Sequence, residues 1–394
     1  MNRTIYTLIG LQLLDAIGLG LLLPILPFYI QDYGASAIEV TQLVAVYALA
    51  SMVFSPIVGR LSDRLGRKAV VLIALAGAAA AYLGMLFANT LWLIFTLRAL
   101  TGAMAAKTGV LTAWIIDHAD EEQRARWLGI FASMNGIGML LGPLFAGVLF
   151  HINLLGLTGY ESVFAGVVVL CILGFLSIAW LPDGPTVMSE APGQESRASK
   201  RTGPYADLLV LNFAIFFAFS VIFSTSAIYV DSRFGWGPSA AGFAIGTMTG
   251  CVALARAFAS QRILRKLGTR RGTLITGLIM CVSLVAAAST SQPPIFMLLY
   301  CLSASAYAVA AIGVTLLLAQ RLDPASRGAG MGMLGAASSG AIVAGASING
   351  YLFELLSPSA PFQIVGALVG ALLMIWYVYT RNAIANERSA SEQA

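Results

Sequence analysis

Continuous apolar runs of about twenty residues recur from Tyr6 to Tyr379, and they limit what this chain can become more than any other feature. Stretches such as Tyr6–Ile30 and Pro361–Thr380 leave no polar face for water. In hydrocarbon every backbone N–H and C=O must bond within its own segment, so each run predicts a membrane-spanning helix. An outer-membrane barrel needs short alternating strands instead, and these runs do not alternate. The composition fits: 10% of residues are charged, against roughly 25% in a soluble domain. The expected fold is an all-α membrane protein with twelve transmembrane helices.

Charge placement orders the helices. Arg60, Arg64, Arg67, Lys68, Arg124, Arg126, Arg262, Arg265, Lys266, Arg270 and Arg271 fall on one side of the expected bilayer, with Arg3 and Arg381. Only Arg233 falls on the other. The positive-inside rule then puts both termini and the linker between the halves in the cytoplasm. The formal charge of +5 is thereby a topology signal, and no nucleic-acid partner is needed to explain it. Cys171, Cys251, Cys281 and Cys301 lie in apolar runs without paired spacing, so they predict neither a disulfide framework nor a metal site. The N-terminus enters an apolar run too long for a signal peptide and is read as the first span.

The chain also repeats itself. DEEQRARWLGIFASMNGIGMLLGPLFAGVLF, from Asp120, aligns with DPASRGAGMGMLGAASSGAIVAGASINGYLF, from Asp323. GRLSDRLGRK, from Gly59, corresponds weakly to QRILRKLGTR, from Gln261. Two pseudo-symmetric six-helix halves are expected, at 1–181 and 205–380, with a linker at 182–204 rich in Pro, Gly, Ser and charge, and a tail at 381–394.

GRLSDRLGRK resembles the loop signature of the major facilitator superfamily through Gly59, Asp63, Arg64, Gly66, Arg67 and Lys68. Its physics is readable directly. Gly59 would allow close helix contact, Gly66 would permit the turn, and the cations would hold the loop at an anionic leaflet, with Asp63 able to pair with them. DAIGLGLLLPILP, RALTGAMAA and GIGMLLGPLFAG resemble, in order, motifs of the twelve-helix drug–proton antiporters of that superfamily. The last carries Gly138, Gly142, Pro143 and Gly147, small residues for close packing and a proline that frees a carbonyl. LLDAIGLGLLLPILP is similar to the tetracycline efflux proteins down to the position of Asp15. Those proteins carry an acidic residue in helix three, whereas AGAAAAYLGMLF has none, which points away from tetracycline as substrate. The resemblance implies the major facilitator fold, whose halves rock about a central site. It also implies proton-coupled export of a small organic molecule by a monomer, with no cofactor.

Three charges lie deep in the apolar runs: Asp15, Arg98 and Lys107. At 1.5 Å per residue, Asp15 falls about 13 Å from the inner face, Arg98 roughly 20 Å and Lys107 roughly 6 Å. One carboxylate cannot neutralise two cations. Nine residues on an ideal helix is about 900°, so Arg98 and Lys107 would point to opposite sides. Following the family, Arg98 is expected to tune Asp15 as the proton-coupling pair. Lys107 is then left to meet substrate in a cavity or to snorkel to the inner surface. Tyr47, Trp114, Asn135, Phe217, Tyr300 and Tyr307 are further candidates for the cavity wall. Arg256 is expected at the membrane interface, and His118 and His151 at the surface. An exporter of an anionic metabolite, such as a carboxylate siderophore, and an importing symporter are the alternatives. A membrane enzyme lacks clustered nucleophile, base or metal ligands in this sequence, and a scaffold or receptor would have no need of buried Asp15.

Overall fold

A computed structural model describes residues 3–153, 156–181, 205–322 and 327–393. The expected linker at 182–204 and Asp323 of the repeat lie outside them. Among the described residues, twelve helical spans are long and apolar enough to cross a membrane.

The first seven helices are α1 (Arg3–Gln31), α2 (Ala37–Leu65), α3 (Arg67–Leu86), α4 (Leu91–Ala105), α5 (Lys107–His118), α6 (Glu121–Leu149) and α7 (Tyr160–Ala179). After them come α8 (Ala206–Phe234), α9 (Pro238–Leu254), α10 (Ser260–Leu267), α11 (Thr269–Ser289), α12 (Pro293–Arg321), α13 (Arg327–Leu355) and α14 (Gly366–Gln393). Two single π-turns, Ala255–Ala259 and Pro361–Val365, interrupt the helical ladder ahead of α10 and α14. α4 and α5 together make one span.

Local chemistry accounts for the punctuation. Ser36 caps α2 in a reciprocal box, its hydroxyl taking the Glu39 N–H while the Glu39 carboxylate takes the Ser36 N–H at 2.8 Å. Gly66 ends the same helix at φ 88°, in the region open mainly to glycine. Gly268, its counterpart in the weak repeat, turns at φ 77° with nearly the same ψ. The described residues of the strong repeat fall mostly on α6 and α13. The Gly66 and Gly268 turn is thus shared in backbone conformation as well as in letters.

The chain divides into two compact units. One comprises Met1–Arg197 with Ser224–Ala253, and the other Ala198–Phe223 with Leu254–Ala394. In the first, α1 packs most extensively against α6, and glycine is why. A Cβ on Gly142 would stand 2.6 Å from Cα of Gly20, and one on Gly20 would stand 2.9 Å from Cδ of Pro143. A Cβ on Gly138 would collide with the Ala16 methyl. The small residues of GIGMLLGPLFAG therefore do what small residues do in lipid: they let two backbones touch, with no hydrophobic drive between helices to help. α9 joins the same seam, where a Cβ on Gly147 would meet the Ser239 carbonyl at 3.2 Å.

Gly59 does not serve the close helix contact expected of it. Nothing lies within 4 Å of where its Cβ would be, because that stretch of α2 is exposed.

Candidate functional site

Helix α1 carries Asp15 midway along an apolar sequence and holds it against α6 and α7 by close packing. Its partner comes from the fourth span, and the break in that span selects which cation it is. The Ala106 N–H bonds to Ala103 O at 3.3 Å, and the Gly109 N–H to Ala106 O at 3.3 Å. Both are three-residue bonds, so the chain tightens into a 3₁₀-type turn between α4 and α5. Lys107 starts a new helix with a new phase. Its ammonium lies 3.0 Å from Oδ2 of Asp15, and the residue is only 6% exposed.

The pairing expected of Arg98 is therefore made by Lys107. The ideal-helix count that set the two cations on opposite sides fails at Ala106. Nor does Lys107 snorkel, since its charged end is buried with the carboxylate. Arg98, 3% exposed, instead lays its guanidinium over the ring of Tyr47, 4.1 Å from the centroid. Gly102 makes room for this. A Cβ there would clash with the Tyr47 carbonyl and stand 3.0 Å from its Cα, so glycine lets α2 press against α4. Nε and Nη1 of Arg98 meet no hydrogen-bond acceptor among the described residues. The cation–π contact is its visible compensation, a term of about 2 kcal/mol when desolvated.

Asp15, Lys107, Tyr47 and Asn135 line one cavity of ≈ 90 Å³. Sequence reasoning missed Gln12, Tyr82, Thr101 and Cys171 in the same wall. Gln12 had a signal, three residues before Asp15 and so on the same helix face. The other three are small or neutral side chains in apolar runs, and only tertiary packing brings them here. The volume suits several water molecules, at roughly 10–15 Å³ each. It falls well below the roughly 300 Å³ where drug-sized pockets begin. Two buried cations against one carboxylate leave this region with net positive charge.

The remaining predicted residues sit elsewhere. Trp114 is packed among Ile5, Leu8, Val71 and Ile115 in an apolar core and does not line the cavity. In the second unit Tyr307 stacks on Phe219 at 3.8 Å between centroids, with Phe216 edge-on at 5.3 Å. Phe217 stacks on Phe213, and buried Tyr300 on Phe296. At the α2–α3 turn, Nη1 of Arg67 meets Asp63 at 2.8 Å while its Nε meets Asp117 at 3.2 Å. The Lys68 ammonium donates to the Leu181 carbonyl at 2.6 Å. These two cations thus tie the turn to the ends of α5 and α7, and Asp117 is a partner the motif did not reveal. Gly66 supplies the turn, and Arg64 is exposed.

Comparison with known proteins places this architecture. The sequence pattern of the Major Facilitator Superfamily matches residues 8–259 and 208–394. The class D tetracycline resistance protein of Salmonella ordonez is 27% identical over 95% of this chain and 96% of its own length. The class G protein of Vibrio anguillarum is 32% identical over 67% of this chain and 68% of its own. A solved peptide transporter, POT with sulfate, superposes with a TM-score of 0.77 over 96% of this chain and 94% of its own, at 16% identity, and so speaks for the fold alone. The chain belongs to the major facilitator superfamily. It is a multi-pass membrane protein of the efflux type, built as a transporter.

Proposed function

We propose that this protein exports small organic molecules in exchange for protons, by alternating access of its two six-helix halves at 1–181 and 205–380. The observation that carries this reading is the Asp15–Lys107 pair, 3.0 Å apart inside an apolar span. A lone carboxylate costs roughly 2.5–3.5 kcal/mol to place there. A close ion pair at an effective dielectric near 20 returns about 4 kcal/mol. Protonating Asp15 deletes that return, which suffices to shift a two-state equilibrium several hundredfold. The carboxylate therefore reports proton occupancy as a change in helix–helix attraction between α1 and α5. Arg98, beside Tyr47, sets the local field and holds positive charge near the pair.

The excess cation supports a second, finer reading. When Asp15 takes a proton, Lys107 and Arg98 are both uncompensated, and an anionic or zwitterionic substrate group restores neutrality. This favours an anionic metabolite over the lipophilic cations of many drug pumps. The absence of an acidic residue in helix three fits the same preference. Export is favoured over import by the close α1–α6 seam around GIGMLLGPLFAG and by the tetracycline-resistance relatives. The protein would act as a monomer in a bacterial inner membrane with both termini cytoplasmic.

Efflux of matched anionic, neutral and cationic compounds from a pump-deficient host tests the reading. Asp15→Asn should abolish accumulation against a gradient for every class, whereas Lys107→Ala should impair the anionic compounds most. Equal loss across the three classes for Lys107→Ala would return the substrate to a general drug panel. Wild-type efflux by Asp15→Asn would remove Asp15 from coupling.

A further inference from the structure

Gln12 is among the most deeply buried polar side chains of the first unit, at 3% exposure, and its Oε1 meets no hydrogen-bond donor among the described residues. It lines the same ≈ 90 Å³ cavity as Asp15, whose Oδ2 is paired with the Lys107 ammonium at 3.0 Å. A three-residue spacing on α1 puts the two side chains on one face, with Cβ atoms about 5–6 Å apart. Leaving a buried acceptor unmet costs about 1–3 kcal/mol, so this amide oxygen is available to accept from a donor in the cavity.

The groups around Asp15 cannot provide for its neutral form equally. Lys107 from α5 and Arg98 from α4 both favour the ionised carboxylate, and neither can accept a hydrogen bond. Tyr47 from α2, Tyr82 from α3 and Cys171 from α7 face the cavity with groups that both donate and accept. Asn135 from α6 is neutral, as is Gln12. With two cations nearby, a protonated Asp15 needs an acceptor for its O–H close at hand. A primary amide resolves this. Its oxygen accepts from the carboxylic acid, whereas the ionised carboxylate is already served by the Lys107 ammonium at 3.0 Å.

We infer that Gln12 is the positioning residue that stabilises the protonated form of Asp15, accepting the acid's O–H when the Lys107 pair is broken. The inference rests on the reading above, that Asp15 takes up a proton during transport. The proton moves onto a carboxylate oxygen, no heavy-atom bond changes, and the amide oxygen receives the new O–H. Losing one such hydrogen bond corresponds to about a tenfold fall in proton affinity.

The test is infrared difference spectroscopy of the whole protein in lipid, between alkaline and acid buffer, with no substrate required. Loss of a carboxylic-acid band in Asp15→Asn assigns that band to Asp15. Gln12→Met and Gln12→Leu keep much of the volume but remove the amide, and Gln12→Asn keeps the amide on a shorter stem. At the pH where the wild-type band is half-developed, the Met or Leu variant should show it about fivefold weaker per folded protein. The Asn variant should fall between, and transport should shift its pH profile to the acid side in the same order. A purely structural Gln12 would lower folded yield and leave band and profile alone. If either apolar variant that folds shows wild-type band intensity, the role of Gln12 is overturned while Asp15 stands. If the wild type shows no band dependent on Asp15, the proton reading itself fails and takes this inference with it.

Discussion

At the scale of single residues, the carboxylate was legible and its partner was not. Asp15 announces itself as an acidic residue inside an uninterrupted apolar run, where charge is expensive and therefore has a task. Choosing between Arg98 and Lys107 needed the phase of the fourth span, and TGAMAAKTG contains no proline to warn of a break. The 3₁₀-type turn at Ala106 is a tertiary outcome that gave the pair to Lys107. Gln12 escaped notice because a neutral amide draws attention only once its surroundings are known to leave it unmatched. The pair has a thermodynamic signature of its own. Lys107→Gln strands a buried carboxylate, a loss of about 3–5 kcal/mol. Adding Asp15→Asn removes the stranded charge and should recover a large part of it. Thermal unfolding in detergent, run as a double-mutant cycle, should give a coupling between 15 and 107 on the order of 1–3 kcal/mol. Additive effects would mean that the two side chains do not pair in the folded protein.

Among the helices, the number of spans and the small-residue seam could both be read in advance. Apolar length fixes the first, and the second follows because only glycine lets lipid-embedded backbones meet, as Gly138, Gly142 and Gly20 do between α1 and α6. Which glycine does the packing could not be read from a motif. Gly59 belongs to the loop signature but faces open space, and Gly102 belongs to RALTGAMAA and is pressed against Tyr47. Two substitutions separate these cases. Gly142→Ala should overpack the α1–α6 contact and cost about 1–3 kcal/mol. Gly59→Ala should be neutral or stabilise by about 0.5–1 kcal/mol, since alanine suits a helix interior better. Shifts of the unfolding midpoint in one detergent check both. Equal shifts at the two positions would contradict the packing described for this seam.

For the whole molecule, the fold class was the most accessible level, because a bilayer permits so few architectures to a chain this apolar. The repeat was also visible, and its backbone echo at Gly66 and Gly268 shows why weak letter matches can persist: the turn needs a positive φ even where the charges around it have drifted. The proposed exchange with protons is the level furthest from the letters, since it rests on a carboxylate, a lysine and an amide meeting in one small cavity. That level is reached by measuring protons directly. Purified protein is reconstituted into vesicles holding a pH-sensitive dye, and a transported compound is added on one side only. Wild-type protein should move protons opposite to the compound, and the flux should vanish in Asp15→Asn while the variant still binds the compound. Proton flux at the wild-type ratio in Asp15→Asn would contradict the account.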